Sequence, residues 1–245
     1  LLALSAMRSE ALAEALDDIR RYDGSPASSA TDESFWFSVQ QAFPVDRAVV
    51  NFNNGGVSPT PTPVLDALKR RLDQANTTPH ATLNAFTADR DPIRKDLARL
   101  FGCDGEEIAL VQNTSMAMET CQFGFDMQPG DEVLTTDQDY SRMLRTWEQR
   151  QRRDGVVLKM VTIPTPAEDP QQVVDLFAAS LTPRTRMIMI CHVINLTGQI
   201  MPVRGICRLG KERGIPVIVD GAHSFGLFDV KRDELECDYF ATSLH

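Results

Sequence analysis

Residues 187–220 read MIMICHVINLTGQIMPVRGICRLGKERGIPVIVD, and the two apolar runs inside this stretch, 187–193 and 216–219, decide the fold class. A strand with one wet face alternates apolar and polar residues. These runs are apolar throughout, as strands are when helices cover both faces of a sheet. Residues 203–213 between them read as a helix, so the stretch is one β-α-β unit.

The unit repeats outward in both directions. Toward the N-terminus the pattern predicts helix 93–101, strand 108–111, helix 115–125, strand 132–134, helix 141–153, strand 156–161 and helix 170–181. Beyond 219 a last strand is expected over 239–242. Alternating strands and helices imply an α/β domain with a mainly parallel sheet, helices on both faces and right-handed crossovers. Before residue 91 the pattern is different. Ala11, Leu12, Ala15, Leu16 and Ile19 fall at helical spacing, 22–31 (YDGSPASSAT) reads as a loop, Phe35, Trp36, Val39 and Phe43 mark a short helix, and 64–72 reads as another. The expected division is a helical N-terminal segment and linker over 1–50 and a large domain over 51–245.

Composition narrows the function. The 245 residues carry 25 Lys+Arg against 34 Asp+Glu, a net charge of −9, with no basic stripe, which argues against nucleic acid as a partner. No apolar run is long enough to cross a bilayer, so no membrane partner is expected. Five cysteines at wide spacing, without a C-x-x-C pair, read as reduced and mostly buried, which fits a cytoplasmic protein. Leu1 to Ala6 (LLALSA) has an alternative reading as the tail of an export signal; an amphipathic helix is the favoured one.

In open α/β sheets ligands bind beyond the carboxyl ends of the strands. Five expected strand ends carry polar or aromatic groups: Gln112-Asn113-Thr114-Ser115; Thr135 to Tyr140; Asn195 with Thr197 and Gly198; Asp220-Gly221-Ala222-His223; and Thr242, Ser243 and His245. Thr114 and Ser115 open a helix and suit either a phosphate or a plain cap. Asp220 ends an apolar strand, so its carboxylate is partly desolvated and needs a cationic partner, a buried helix cap or a metal ligand being the competing account. Tyr140 is a stacking surface or a core residue, His223 a ligand or a satisfied surface histidine, and Asn195 a ligand or a turn residue. Asn53-Asn54-Gly55-Gly56 permits positive φ and a close approach to a ligand, or is an ordinary turn. There is no G-x-x-x-x-G-K-[ST] and no G-x-G-x-x-G, so nucleoside triphosphates and dinucleotides lose their signatures. The four histidines show no metal-ligand spacing, and no metal is expected.

Taken in order, N-N-G-G, Q-N-T-S, D-Q-D-Y, H-V-I-N-L-T-G, V-D-G-A-H-S-F-G and T-S-L-H resemble the class V aminotransferases, pyridoxal 5'-phosphate enzymes of fold type I. N-N-G-G-V-S-P and D-G-A-H look most like the isopenicillin N epimerase-like branch, with cysteine desulfurases as close relatives. The resemblance implies that Thr114, Ser115, Ser243 and His245 hold the cofactor phosphate. It implies that Tyr140 stacks on the ring, where desulfurases usually place a histidine, and that Asn195 and His223 bond the ring hydroxyl. Asp220 then pairs with the ring nitrogen, and Asn54 and Gly56 lie near the substrate carboxylate. Asp220 and His223 are the expected catalytic residues. By the same resemblance, the Schiff-base lysine and a small domain carrying the carboxylate-binding arginine follow His245.

The implied activity is chemistry at the α-carbon of an amino-acid substrate, as an aminotransferase or epimerase, in a homodimer whose residues 77–89 reach the partner. A cysteine desulfurase or other C–S lyase is the alternative within enzymes; a non-catalytic cofactor-binding regulatory domain is the alternative outside them. Met116, where a glutamate commonly follows the phosphate-binding residues, is a departure from the desulfurase pattern.

Overall fold

The structure, a computed structural model, describes residues 2–244, with side chains from residue 11 onward. The chain divides into two compact units, residues 2–86 and residues 87–244.

In the first unit, α1 (Leu2–Arg21) is the expected N-terminal helix. Leu1, at the start of the possible signal tail, lies outside the described residues. α1 packs on α3 (Glu33–Gln41), with the Tyr22 and Phe35 rings 4.3 Å apart and the Ser38 hydroxyl donating to Asp18. Asp32 caps α3 by accepting from the Ser34 and Phe35 N–H groups, which, with the Ser34 hydroxyl, hold its carboxyl below the usual range. The expected loop 22–31 contains one turn of helix, α2 (Pro26–Ser29), because Ser25 caps it and Pro26 suits a first helical position. α4 (Thr62–Thr77) likewise has proline in its first turn.

The next helix, α5 (Pro79–Phe101), starts well before the expected residue 93. The expected start at residue 93 falls just after Pro92. That proline sits inside the helix, exposed, where its missing N–H removes one bond without ending the run.

The second unit is a parallel sheet between two helical layers. Its strands are β1 (Glu132–Thr136), β2 (Val157–Val161), β3 (Thr185–Cys191), β4 (Val217–Asp220) and β5 (Tyr239–Ala241), in the order β2-β1-β3-β4-β5. Side chains alternate between the faces along each strand. Val133, Met187, Met189 and Ile218 pack with Met118 of α6 (Thr114–Gly124) and with Met143 and Trp147 of α7 (Ser141–Asp154). Leu134, Ile188, Ile190, Val217 and Val219 pack with Val173 and Phe177 of α8 (Pro170–Ser180) and with Val203 and Ile206 of α9 (Val203–Arg213). A last short helix, α10 (Arg232–Leu235), ends at Glu236, whose φ of 55° is left-handed and whose carboxylate is gripped by Arg204 and Arg208.

One expected strand is absent. Residues 108–111 follow a capped 3₁₀ turn (Gly105–Glu107), with Ile108 extended at φ −98°, ψ 119°, but pair with no strand among the described residues. Strand propensity sets the local conformation, whereas a strand also needs a neighbour to bond.

Core and edge positions therefore respond differently to truncation. Phe177→Ala empties a fully buried site and is expected to cost roughly 3–5 kcal/mol. Met160→Ala, half-exposed on edge strand β2, is expected to cost under about 1 kcal/mol. Urea denaturation of both variants measures the contrast.

Candidate active site

The chain leaves β1 through α7 to β2 on one side, then returns past β1 through α8 to β3 on the other. The carboxyl ends of β1 and β3 are thus a topological switch point, where connections diverge and leave a crevice. Thr136 to Tyr140 follow β1 there, and His192 to Asn195 follow β3. Register carries the same level across the sheet: Cys191 pairs with Asp220, and Asp220 with Ala241.

Asp220 is 4% exposed, and its carboxylate accepts from the Ala222 N–H at 3.1 Å, with no cation paired to it among the described residues. Ile218 faces α6 and α7, so Asp220, two residues on, lies on that same face. Burial is the main force raising its pKa, with the nearby Asp139 carboxylate adding to it and the Ala222 bond opposing, and the result is about 6. The turn beyond it is tight. A Cβ on Gly221 would meet the Phe240 ring at 2.1 Å, and the Thr242 hydroxyl donates to the Gly221 carbonyl at 3.0 Å.

At the neighbouring strand end, Asn113 caps α6 through the Met116 N–H. The Thr114 N–H donates to Ser243 Oγ at 2.9 Å, and the two hydroxyls lie 2.6 Å apart. The Ser115 N–H has no partner among the described residues, which leaves donors at the positive end of a helix dipole.

Tyr140 is the N-cap position just before α7, and its half-buried ring rests against the core beneath α6 and α7. Asn195 is exposed in a turn closed by the Gly198 N–H to the Ile194 carbonyl, with Gly198 at φ 73°; its side chain bonds to nothing among the described residues. His223 is half-buried and likewise without a hydrogen-bond partner. Thr114, Ser115, Tyr140, Asn195, Asp220, His223 and Ser243 all lie at the carboxyl ends of the sheet or at the α6 N-terminus. His245 lies outside the described residues. Asn54 and Gly56 belong to the first unit, where the Asn51 and Asn54 side chains bond each other at 2.8 Å. No residue of 53–56 takes positive φ there. The asparagine bonds close that turn instead, and what glycine at 56 permits is close packing against Asn53, whose Oδ1 would lie 3.0 Å from a Cβ.

Sequence reasoning passed over Asp139. It is 5% exposed and accepts four hydrogen bonds, from the Thr135 and Thr136 hydroxyls and the Thr136 and Cys191 N–H groups. Burial pushes its pKa up and the four donors pull against it. Two threonines followed by an aspartate three residues later form the pattern of a side chain folding back on its own turn, which is the available signal. Cys191, between the two carboxylates, has its thiol pushed far above the usual range by burial and by both charges.

Residues 50–245 match the family model described as Aminotransferase class-V. The chain belongs to the class V aminotransferase family. This family member is similar to the isopenicillin N epimerase of Amycolatopsis lactamdurans, 31% identical over 219 residues, covering 86% of this chain and 54% of the relative. It is also similar to a probable cysteine desulfurase of Halobacterium salinarum, 29% identical, covering 80% of this chain and 49% of that one. Among solved structures, a C-DES mutant with glycine covalently linked to its PLP cofactor superposes with a TM-score of 0.77 at 25% identity, over 84% of this chain and 55% of that chain. The class V member described here thus spans about half the length of the relatives it matches.

The raised Asp220 pKa makes stability depend on pH. Without cofactor the folded chain binds this proton more tightly than the unfolded chain, so ionisation above pH 6 lowers stability, and stability returns as pH falls through that value toward the unfolded pKa near 3.8. The full effect is up to roughly 3 kcal/mol. Asp220→Asn is expected to remove that part of the slope and to be the more stable protein near pH 8, read from urea midpoints of both proteins across the pH range.

Proposed function

We propose that this chain is the cofactor-binding part of a pyridoxal-phosphate enzyme that acts at the α-carbon of an amino-acid substrate, as an aminotransferase or an isopenicillin N epimerase-like enzyme. The observation that carries the reading is Asp220, a buried carboxylate at a strand end with no cation beside it among the described residues, one strand away from a helix N-terminus that offers donors. A buried anion without a cation suits a protonated ring nitrogen, and the Thr114-Ser115-Ser243 cluster suits a phosphate. The donor set therefore fits the cofactor at both ends.

When bound, pyridoxal phosphate supplies an electron sink for the pair released at the α-carbon. The protein's part is to hold and charge it. Asp220 keeps the proton on the ring nitrogen, because a carboxylate at contact distance favours the cationic form. Thr114, Ser115 and Ser243, joined by His245, hold the phosphate; Tyr140 lies on the ring face; Asn195 and His223 bond the ring hydroxyl. Asn54 and Gly56 are the residues that this reading assigns to the substrate carboxylate. Residues 51–245 act as the cofactor domain and 1–50 as an N-terminal helical segment.

A second reading, cysteine desulfurase or C–S lyase, is supported by the names of several relatives. Within this chain, Cys191 is a poor nucleophile for such chemistry, since burial and two carboxylates keep its thiol protonated. Release of sulfide or alanine from cysteine marks the second reading. A visible absorption band that bleaches or shifts with another amino acid, and no sulfide, marks the first.

Asp220→Asn is expected to abolish turnover while some cofactor stays bound, measured by steady-state assay and absorbance; near-normal turnover in a folded variant overturns the assignment. The reading includes a homodimer with residues 77–89 reaching the partner. Light scattering during size exclusion is expected to give twice the monomer mass, and a fully active monomer overturns that part.

A further inference from the structure

Asp139 has no place in the chemistry above, yet its surroundings are more demanding than those of any residue assigned to it. Oδ2 accepts the Thr135 hydroxyl at 2.7 Å, the Thr136 N–H at 2.8 Å and the Thr136 hydroxyl at 2.8 Å. Oδ1 accepts the Cys191 N–H at 2.5 Å. A hydroxyl can turn and become an acceptor, but a main-chain N–H can only donate. Each oxygen therefore faces one donor that cannot adapt. An asparagine, whichever way round, would set its NH₂ against one of those N–H groups, so the position needs two acceptor atoms.

The two obligate donors come from different strands. Thr136 ends β1 and Cys191 ends β3, the strands whose connections diverge at the switch point. Asp139 is the chain neighbour of Tyr140, and Cys191 is the register partner of Asp220. The His192 N–H continues the link by donating to the Asp220 carbonyl at 2.8 Å.

We propose that Asp139 is a positioning residue of this site: by locking the carboxyl ends of β1 and β3 together, it fixes where Tyr140 and Asp220 stand relative to each other and hence to the ring between them. The inference rests on the reading of the site under Proposed function. The charge behind Asp220 acts in the same direction, since a second buried carboxylate favours a cation at the ring nitrogen.

The test uses the full chain and added pyridoxal phosphate. Affinity is read by absorbance titration, ring orientation by induced circular dichroism at the cofactor band, and fold by far-ultraviolet circular dichroism and melting without cofactor. Folded Asp139→Asn is expected to bind at least tenfold more weakly with an altered induced signal, an effect that a stability role alone would not produce. Thr135→Val, which removes one adaptable donor and leaves both N–H bonds, is expected to stay within twofold of wild type. Wild-type affinity and an unchanged induced signal in folded Asp139→Asn overturn the positioning role and leave the cofactor reading standing. If Asp139→Asn does not fold, the Thr135→Val/Thr136→Val double variant is expected to bind at least threefold more weakly, and wild-type affinity there overturns the proposal. A wild-type chain that binds no pyridoxal phosphate overturns the reading of the site and this inference with it.

Discussion

Asp220 sits where a carboxylate is least comfortable, at the end of an apolar strand, out of water, with a single N–H donor and a second buried carboxylate close enough to raise its pKa. The backbone leaves it no escape, because β4 is paired in register on both sides and the following turn is pinned by Gly221 and Thr242. A group held in so unfavourable a state is what the proposed pairing with a protonated ring nitrogen would relieve. Most of the geometry at this end of the sheet can be understood as keeping that one anion in place and unpaired.

Asp139 makes the contrast. Both carboxylates are buried at the same end of the sheet, and neither has a cation beside it among the described residues. Asp139 is surrounded by four donors that bind it into the scaffold, whereas Asp220 has one. The first spends its hydrogen-bonding capacity on the protein, and the second leaves most of its capacity unused within it. That difference in donor count is what distinguishes the proposed scaffold role of the one from the proposed binding role of the other.

Layering explains the direction in which the site faces. Asp220 and Cys191 follow Ile218 and Met189 on the face covered by α6 and α7, and α6 is the helix whose N-terminus presents Thr114 and Ser115. Strand alternation and helix placement thus bring the Asp220 carboxylate and the α6 N-terminus to one side of the sheet without any long loop. The opposite face, filled by Phe177, Ile206 and their neighbours, is closed core.

The apolar runs at 187–193 and 216–219 were enough, read as sequence, to require a parallel sheet covered on both sides, because only full burial tolerates strands with no polar face. Asp220 was legible for the same reason: a charge that ends such a run cannot reach water. Other features were not legible. Residues 108–111 look like a strand, but strand formation depends on a neighbour distant in sequence. The expected helix start just after Pro92 comes too late, because local rules do not register that an exposed helix can lose one bond and continue. Asp139 falls in the strand end 135–140 but is given no role in sequence, since the Cys191 N–H that completes its bonding lies on another strand. Local chemistry settles which residues are helical, buried or charged; only the folded sheet, by bringing β1 and β3 side by side, decides which of two similar aspartates is clamped and which is left open.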